Sequence, residues 1–470
     1  MALRFFNTYS RELEEFHPLD PEGKIVKMYT CGPTVYSRAH IGNFRAYVFE
    51  DLLQRHLEAR GFAVHRVMNL TDVDDKTIRG SRAGNLPLQE FTAPFKEAFY
   101  QDLETLQIEM AGAFPAATEE RYIAAMIAMI STLIERELAY QADDKSVYYR
   151  INRFPKYGQL AHFDLAELRP TGRVKSDEYD KEHVGDFALW KAWAEEDGDV
   201  GWKSPWGRGR PGWHIECSAM AMSLLGEQLD IHCGGVDNIF PHHEAEIAQS
   251  EGCSGKAPFV RYWLHCAHLL VEGQKMSKSL GNFHTLPDLL AKGYSGREVR
   301  YSLLRVHYRA PLNFTWDGLE EARQSLARLD EWLRRLWEAA RAGNLQAHQA
   351  KTIADDGFAA ALDDDLNISA ALGHLFEQIR ESNRELDTGI DSARALSWLE
   401  WWGRINSVLA LEATETKPNE QIVRMAEERA RARGTRDWKK SDELRDALNA
   451  LGWDVRDTKD GQLVTPRVRA

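Results

Sequence analysis

No stretch of this 470-residue chain approaches the ~20 unbroken apolar residues needed to cross a bilayer, and the opening Met1-Ala2-Leu3-Arg4-Phe5-Phe6 lacks the apolar run of a secretion signal. The expectation is a cytoplasmic protein with no membrane partner. Close cysteine pairs are missing too. Cys31, Cys217, Cys233, Cys253 and Cys266 form an odd set without compact disulfide spacing, which suits reduced thiols in a reducing compartment, some of them able to hold metal. There is no excess of positive charge: the formal net charge of −13 argues against a general polyanion binder, although local patches rather than totals decide contact with nucleic acid. Repeats and low-complexity tracts are absent. What the chain has is length and apolar content, 43% hydrophobic residues, enough for several cores and about three structural units.

Ile25 to Gly32 reads as a strand ending in a Gly-Pro turn, and Gly42 to Arg60 carries helical apolar spacing through Phe44, Val48, Leu52 and Leu57. Val64 to Leu70 gives a second strand that stops at Thr71-Asp72-Val73-Asp74-Asp75, so the opening is strand, helix, strand, the start of a parallel α/β sheet whose strand ends usually bind ligands. A helix over Ala117 to Tyr140 precedes a Gly- and charge-rich stretch to Gly209 that reads as an insertion of short strands. The sheet pattern resumes near Trp213 and again at Leu229-Asp230-Ile231-His232, followed by a helix from His242 to Glu251 and a strand from Trp263 to Val271.

Beyond about Gly293 the pattern is helical. Leu319, Leu326, Leu329, Leu333, Leu336 and Trp337 share one face, and Phe358 to Leu386 repeats the pattern, which implies a helical bundle. Polar Thr414-Glu415-Thr416-Lys417-Pro418-Asn419 reads as a linker. A basic tail follows, opening with one helix that carries Arg424, Arg429, Arg431, Arg433, Arg436, Lys439 and Lys440.

Three constellations bear chemistry. Cys31, Cys217, His242 and Glu246 offer two thiolates, an imidazole and a carboxylate, a set that suits zinc better than magnesium or calcium. Their scattered spacing, taken alone, is that of buried structural thiols rather than of close zinc-binding pairs. His40-Ile41-Gly42-Asn43 falls at a helix start, where unsatisfied amides and the helix dipole attract phosphate and Gly42 lets the backbone approach closely. Four residues are equally the mark of a histidine capping a helix. Lys275-Met276-Ser277-Lys278-Ser279, in a polar loop after a strand, supplies mobile positive charge for an anionic transition state, or is a solvated basic loop. Together, with a Gly234-Gly235-Val236-Asp237 turn between them, the two motifs point to nucleotide-dependent activation of a substrate beside a metal ion.

These motifs resemble those of class I aminoacyl-tRNA synthetases. The longer strings Tyr29-Thr30-Cys31-Gly32-Pro33-Thr34-Val35-Tyr36, Pro211-Gly212-Trp213-His214-Ile215-Glu216-Cys217-Ser218-Ala219-Met220 and Phe240-Pro241-His242-His243-Glu244 are similar to the cysteinyl branch in particular, and the likeness runs from Phe6-Asn7-Thr8 to about Asp457. It implies a Rossmann-type catalytic domain over 1–292 with an insertion at about 115–210, a stem-contact and helical bundle domain over 293–412, a linker at 413–420 and a C-terminal anticodon-binding domain over 421–470. It further implies one zinc per subunit on Cys31, Cys217, His242 and Glu246, joined by the thiolate of L-cysteine. Magnesium would accompany ATP. His40 and Asn43 would stabilise phosphate, with Gly42, Gly235 and Asp237 also on ATP; Lys278, supported by Lys275, would meet the charge of departing pyrophosphate. Thr71 and Trp213 would line the amino-acid pocket, and His232 would either help the adenylate or serve structure. The partners implied are tRNA(Cys), L-cysteine and ATP, for a chain acting as a monomer. A metal that prefers thiolate to hydroxyl can reject serine by ~10⁴-fold or more, so no editing domain is expected.

Some positions depart from the family pattern. Asp457 to Val464 stands where the family often carries Gly-Thr-x-Trp-Arg, Cys266 where Asn is common, and Gln274 where an acidic residue often precedes the first loop lysine. Trp438 and Trp453 are read as core residues rather than as platforms for bases. Two other readings compete: a ligase passing activated cysteine to a small-molecule amine, and a noncatalytic tRNA- or zinc-binding relative. The basic tail beyond Pro418 speaks against the first, and intact His40, Lys278 and metal candidates against the second.

Overall fold

A computed structural model describes residues 2–165, 173–174, 184–277, 280–342, 352–353, 357–413, 420–451, 453–458 and 461–466. Lys278 and the expected linker at 414–419 lie outside the described residues. The chain packs as two compact units, Met1–Leu411 and Glu412–Ala470.

The first unit is organised by a four-stranded parallel sheet. Its strands are β1 (Ile25–Thr30), β2 (Ala63–Met68), β3 (Leu229–Gly235) and β4 (Val260–Cys266), in the spatial order β4-β3-β1-β2. All three ladders are parallel, with Met28 opposite both Arg66 and Ile231. The strands need apolar side chains on both faces because helices cover both. Thus Met28, Tyr29, Ile231 and Cys233 are fully enclosed. Helix α1 (Ile41–Ala59) connects β1 to β2, whereas α2 (Trp213–Leu225) precedes β3 and α3 (Glu244–Ser254) connects β3 to β4. The order of strands reverses between β1 and β3, and a crevice opens at their carboxyl ends, where sheets of this kind hold ligands.

Helix α1 begins where it does because His40 and Asn43 cap it reciprocally: Asn43 N donates to His40 Nδ1 (3.3 Å) and His40 N to Asn43 Oδ1 (3.1 Å). It is buried nearly all round, which forces its polar side chains to find partners. Asp51 pairs with Arg300, itself wholly buried, and His56 and Arg60 both meet Asp363. Arg45 donates to the carbonyl oxygens of Val306 (2.7 Å) and His307 (2.8 Å). These contacts bind the sheet layer to α4 (Gly296–Leu304) and to the helical bundle formed by α5 (Trp316–Arg341), α6 (Gly357–Asp363), α7 (Ile368–Thr388) and α8 (Ser392–Leu409).

Between β2 and α2 the insertion forms a helix, Glu120–Glu135, and a mostly antiparallel sheet that includes Ala139–Gln141, Val147–Tyr149, Asp186–Ala192, Trp202–Ser204 and Gly207–Pro211. Short strands are found here as expected, though the helix is shorter than Ala117 to Tyr140. Trp213 opens a helix, not a strand: α2 is buried on almost every side, so it carries no amphipathic period to betray it. The stretch from Trp263 to Val271 is two strands. After Cys266 the chain leaves the main sheet, and Leu269–Val271 pairs instead with Gln274–Lys275 and Leu312–Phe314. On α5 the buried face runs through Leu319, Leu326, Leu329, Trp332 and Leu336, while Trp337 is 48% exposed. Trp332 donates to Ser382 Oγ (2.9 Å) and meets Trp401 and Trp402 edge-on, a polar anchor within an apolar seam.

The second unit contains α9 (Glu420–Gly434), α10 (Trp438–Ala450) and an antiparallel hairpin, Trp453–Thr458 with Gly461–Pro466. The single basic helix expected here is therefore two, divided by Thr435, Arg436 and Asp437. Ile422, Ala426, Leu448, Trp453 and Val455 form a small core. Trp453 is in it, but Trp438 is 55% exposed with the Arg433 guanidinium over its ring at 5.4 Å, contrary to a core role. No helix among the described residues is long and apolar enough to cross a membrane.

Candidate active site and metal centre

A cleft of about 340 Å³ lies at the carboxyl ends of β1 and β3. Cys31, His40, Gly42, Asn43, Thr71, Trp213, Cys217, Gly235, Asp237 and His242 all line it, although they span more than two hundred positions of sequence. The parallel crossovers deliver them: Cys31 follows β1, His40 to Asn43 open α1, Thr71 follows β2, Trp213 and Cys217 occupy the first turns of α2, Gly235 ends β3 and Asp237 lies in the turn Val236–Asn238 that follows it.

At the end of the cleft where α1 begins, Gly42 is required by close packing. A Cβ there would stand 2.9 Å from His40 Nδ1 and 2.9 Å from Met276 Cε. The same contact shows that the segment carrying Lys275 and Met276 folds against the helix start. Ile41 N donates to His284 O (3.0 Å), and the Phe283 ring stands edge-on to His40 at 5.1 Å. Lys275 itself sits on an exposed two-residue strand, and Asn282 closes the loop by donating to Lys275 O (3.2 Å) while accepting from Ser277 N (2.8 Å). Lys275 is not among the residues lining the cleft.

At the other end, Cys31, Cys217, His242 and Glu246 place one donor atom each within 4.8 Å of one another. His242 belongs to the turn Ile239–His243 that leads into α3, so it and Glu246 are i and i+4 neighbours, with His242 Nε2 3.0 Å from Glu246 Oε1. That oxygen is buried and its short contact is with His242, itself a candidate ligand, which leaves both placed to turn to an ion. Burial alone would keep His242 neutral, yet Cys217 and Glu246 push it up to about 10; burial would raise the Cys217 thiol, yet Cys31 and His242 draw it down to about 6. Glu246, which burial would raise, is held at about 2 by His232 and His242. Cys31 is pushed the other way, its thiol raised by its Cys217 partner and by burial, so one thiolate and one carboxylate are balanced by His242, and a second thiolate would call for the charge of a cation.

Cys31 and Glu246 also fall within 4.8 Å of His232 and His243. Hydrogen bonding sets His232 apart but not His243, whose Nε2 faces Cys31 Sγ at 3.4 Å. His232 is engaged at both nitrogens, Nε2 with Glu246 Oε2 (3.0 Å) and Nδ1 with Cys233 O (3.2 Å), the arrangement of a group that orients a metal ligand. His243 meets His265 Nε2 through Nδ1 (2.8 Å). The softer set with two sulfurs, Cys31, Cys217, His242 and Glu246, fits zinc. Trp213, which also lines the cleft, stacks on His242 with ring centroids 4.3 Å apart.

Asn69, Arg38, Lys76 and Tyr36 also line the cleft and were not singled out by sequence. Arg38 is held by a two-point pair with Asp102, and the Lys76 ammonium lies 5.6 Å from the Tyr36 ring centroid. The only advance signal was proximity to a motif, which does not tell lining from surface.

Residues 16–324 match the family described as tRNA synthetases class I (C) catalytic domain, 357–413 the DALR domain, and 426–464 the Cysteinyl-tRNA ligase anticodon binding domain. The chain is 49% identical over 472 residues to a cysteine–tRNA ligase of Protochlamydia amoebophila, with 98% of this chain and 97% of that one covered. With a cysteine–tRNA ligase of Chlamydia muridarum it shares 50% identity over 481 residues, covering 99% of each chain. Among solved structures it is similar in fold to Mycobacterium tuberculosis methionyl-tRNA synthetase in complex with methionyl-adenylate, with a TM-score of 0.60, 16% identity, and coverage of 83% of this chain and 88% of that one. A leucyl enzyme of Agrobacterium radiobacter K84, solved in a ternary complex, gives a TM-score of 0.61 at 13% identity, covering 84% and 85%.

Proposed function

The chain belongs to the cysteine–tRNA ligase family of class I synthetases, enzymes that join L-cysteine to tRNA(Cys), and from that premise we propose how its cleft divides the work. Cysteine binds with its sulfur toward Cys31, Cys217, His242 and Glu246 and its carboxylate toward His40 and Asn43. The carboxylate attacks the α-phosphate of ATP and pyrophosphate leaves. A ribose hydroxyl of the terminal adenosine of tRNA then attacks the adenylate carbonyl and releases AMP.

Both steps build negative charge near the start of α1, where backbone amides and the helix dipole stabilise it without reorganisation. Because His40 Nδ1 accepts from Asn43 N, the proton of the neutral ring is assigned to Nε2, which can donate to a phosphate oxygen. Asn43 holds that ring in place, Gly42 and Gly235 admit the nucleotide, and Asp237 accepts from its ribose. Lys275 and Lys278 bring mobile charge to departing pyrophosphate, and magnesium accompanies the triphosphate. Thr71 and Trp213 bound the amino acid. When bound at the four ligands, zinc supplies a soft Lewis acid that takes a thiolate in preference to a hydroxyl, so serine is refused by chemistry rather than by size.

We assign 1–292 to catalysis, 293–412 to contact with the tRNA stem, 413–420 to a linker and 421–470 to the anticodon, in a cytoplasmic, monomeric enzyme. The observation that carries the thiol half is the convergence of four donors, half-buried Cys31 and buried Cys217, His242 and Glu246, on one point of the cleft that His40 and Asn43 also line. Cysteine-dependent pyrophosphate exchange and tRNA(Cys) charging, with bound zinc measured in parallel, test it. Cys217→Ser should lose zinc and at least ~10²-fold in exchange. Retention of full zinc and full exchange by this variant would refute the assignment.

A further inference from the structure

Asn69 directly follows β2, is 1% exposed and lines the cleft, yet belongs to neither the helix-start motif nor the metal group. Its Oδ1 accepts from Gly32 N at 2.9 Å. That bond fixes which way the amide faces, since the reverse orientation would set one N–H against another. Its Nδ2 accordingly donates to Thr71 Oγ1 at 3.2 Å. The segments it joins run side by side: Thr71 N donates to Pro33 O (3.1 Å) and Val35 N to Thr71 O (3.0 Å). No side chain fits at position 32, because a Cβ there would collide with the Asn69 carbonyl oxygen.

We infer that Asn69 is a positioning residue for the amino-acid substrate, holding the loop that carries Cys31 and setting the direction of the Thr71 hydroxyl. The inference rests on the assignment of Thr71 to the amino-acid pocket. A hydroxyl that accepts from Asn69 must turn its own proton elsewhere. The buried Glu216 carboxyl is hydrogen-bonded by Thr71 and competes for that proton. Bound cysteine offers it an anionic carboxylate before activation and a carbonyl oxygen after it, so Thr71 faces the substrate as a donor. Asn69 thus links the sulfur end of the pocket to the carboxylate end.

Asn69→Asp is the discriminating variant. Its carboxylate still accepts from Gly32 N but cannot donate to Thr71, so the hydroxyl turns round and gives its proton to residue 69. In cysteine-dependent pyrophosphate exchange the KM for cysteine should rise about tenfold, the worth of one hydrogen bond. The KM for ATP should stay within about twofold, with bound zinc unchanged. Thr71→Val should produce a similar rise, and combining it with Asn69→Asp should add little, because both remove the same bond. Should the buried carboxylate prevent folding, Asn69→Ala completes the same cycle. A normal cysteine KM in Asn69→Asp beside an impaired Thr71→Val would overturn the relay alone. Unchanged cysteine kinetics in Thr71→Val would remove Thr71 from the pocket and the relay with it.

Discussion

Individual residues differ sharply in how far sequence alone identifies them. His40 and Asn43 are legible because their role is local: a cap and its partner lie three positions apart, and the helix they open follows at once. Cys31, Cys217 and His242 are opaque to spacing, since a metal site built from three separate elements has no linear period; only the longer family strings single them out. His232 and His265 are harder still, because their partners are other buried side chains that one sequence cannot place. The bond from His232 to the second oxygen of Glu246 carries a consequence at this scale. Removing a partner that orients a ligand commonly costs 10–100-fold in metal affinity, so His232→Ala should weaken zinc binding by about that factor in chelator competition while all four ligands remain. Affinity equal to wild type would show that Glu246 holds its orientation unaided.

Among the elements, α1 runs from the cleft to the bundle, and its buried polar residues make it sensitive to pH. Glu50 is wholly enclosed, neither carboxylate oxygen has a hydrogen-bond partner, and burial pushes it up to about 8 with Arg66 pulling only partly against this. The folded chain keeps that proton to about pH 8, whereas an unfolded chain releases it near pH 4.5. Stability should therefore fall as pH rises through this window, by about 1 kcal/mol per unit, and level off above it. Glu50→Gln should gain on the wild type in urea midpoint from about pH 5 to about pH 8; parallel curves would contradict the buried carboxyl. The apolar spacing of α1 was readable, but its buried charges were not, because their partners on α4 and α6 lie far away in sequence. Helix α2 escaped recognition for the opposite reason, being apolar on nearly every side.

At the scale of the whole molecule, length and pattern conveyed a parallel sheet, an insertion, a helical bundle and a basic tail, and the fold contains all of these. The tail's division into two helices and a hairpin was hidden because its basic residues continue across the break at Thr435 to Asp437. The tail has a core of its own, and Met1–Leu411 packs as a separate unit that includes the entire cleft. A chain ending at Leu411 should fold and retain cysteine-dependent pyrophosphate exchange within about twofold, while kcat/KM for tRNA(Cys) falls at least tenfold as phosphate and base contacts are lost. Equal charging by both lengths would remove the tail from tRNA recognition.

The proposed site selects the thiol of cysteine at Cys31, Cys217, His242 and Glu246. Zinc K-edge X-ray absorption of the purified protein, with and without cysteine, tests it most directly. Two sulfur neighbours without substrate, three with L-cysteine and still two with L-serine are the predicted result. A single sulfur without substrate, as the set with His232 and His243 would give, or a count that cysteine does not change, would contradict it.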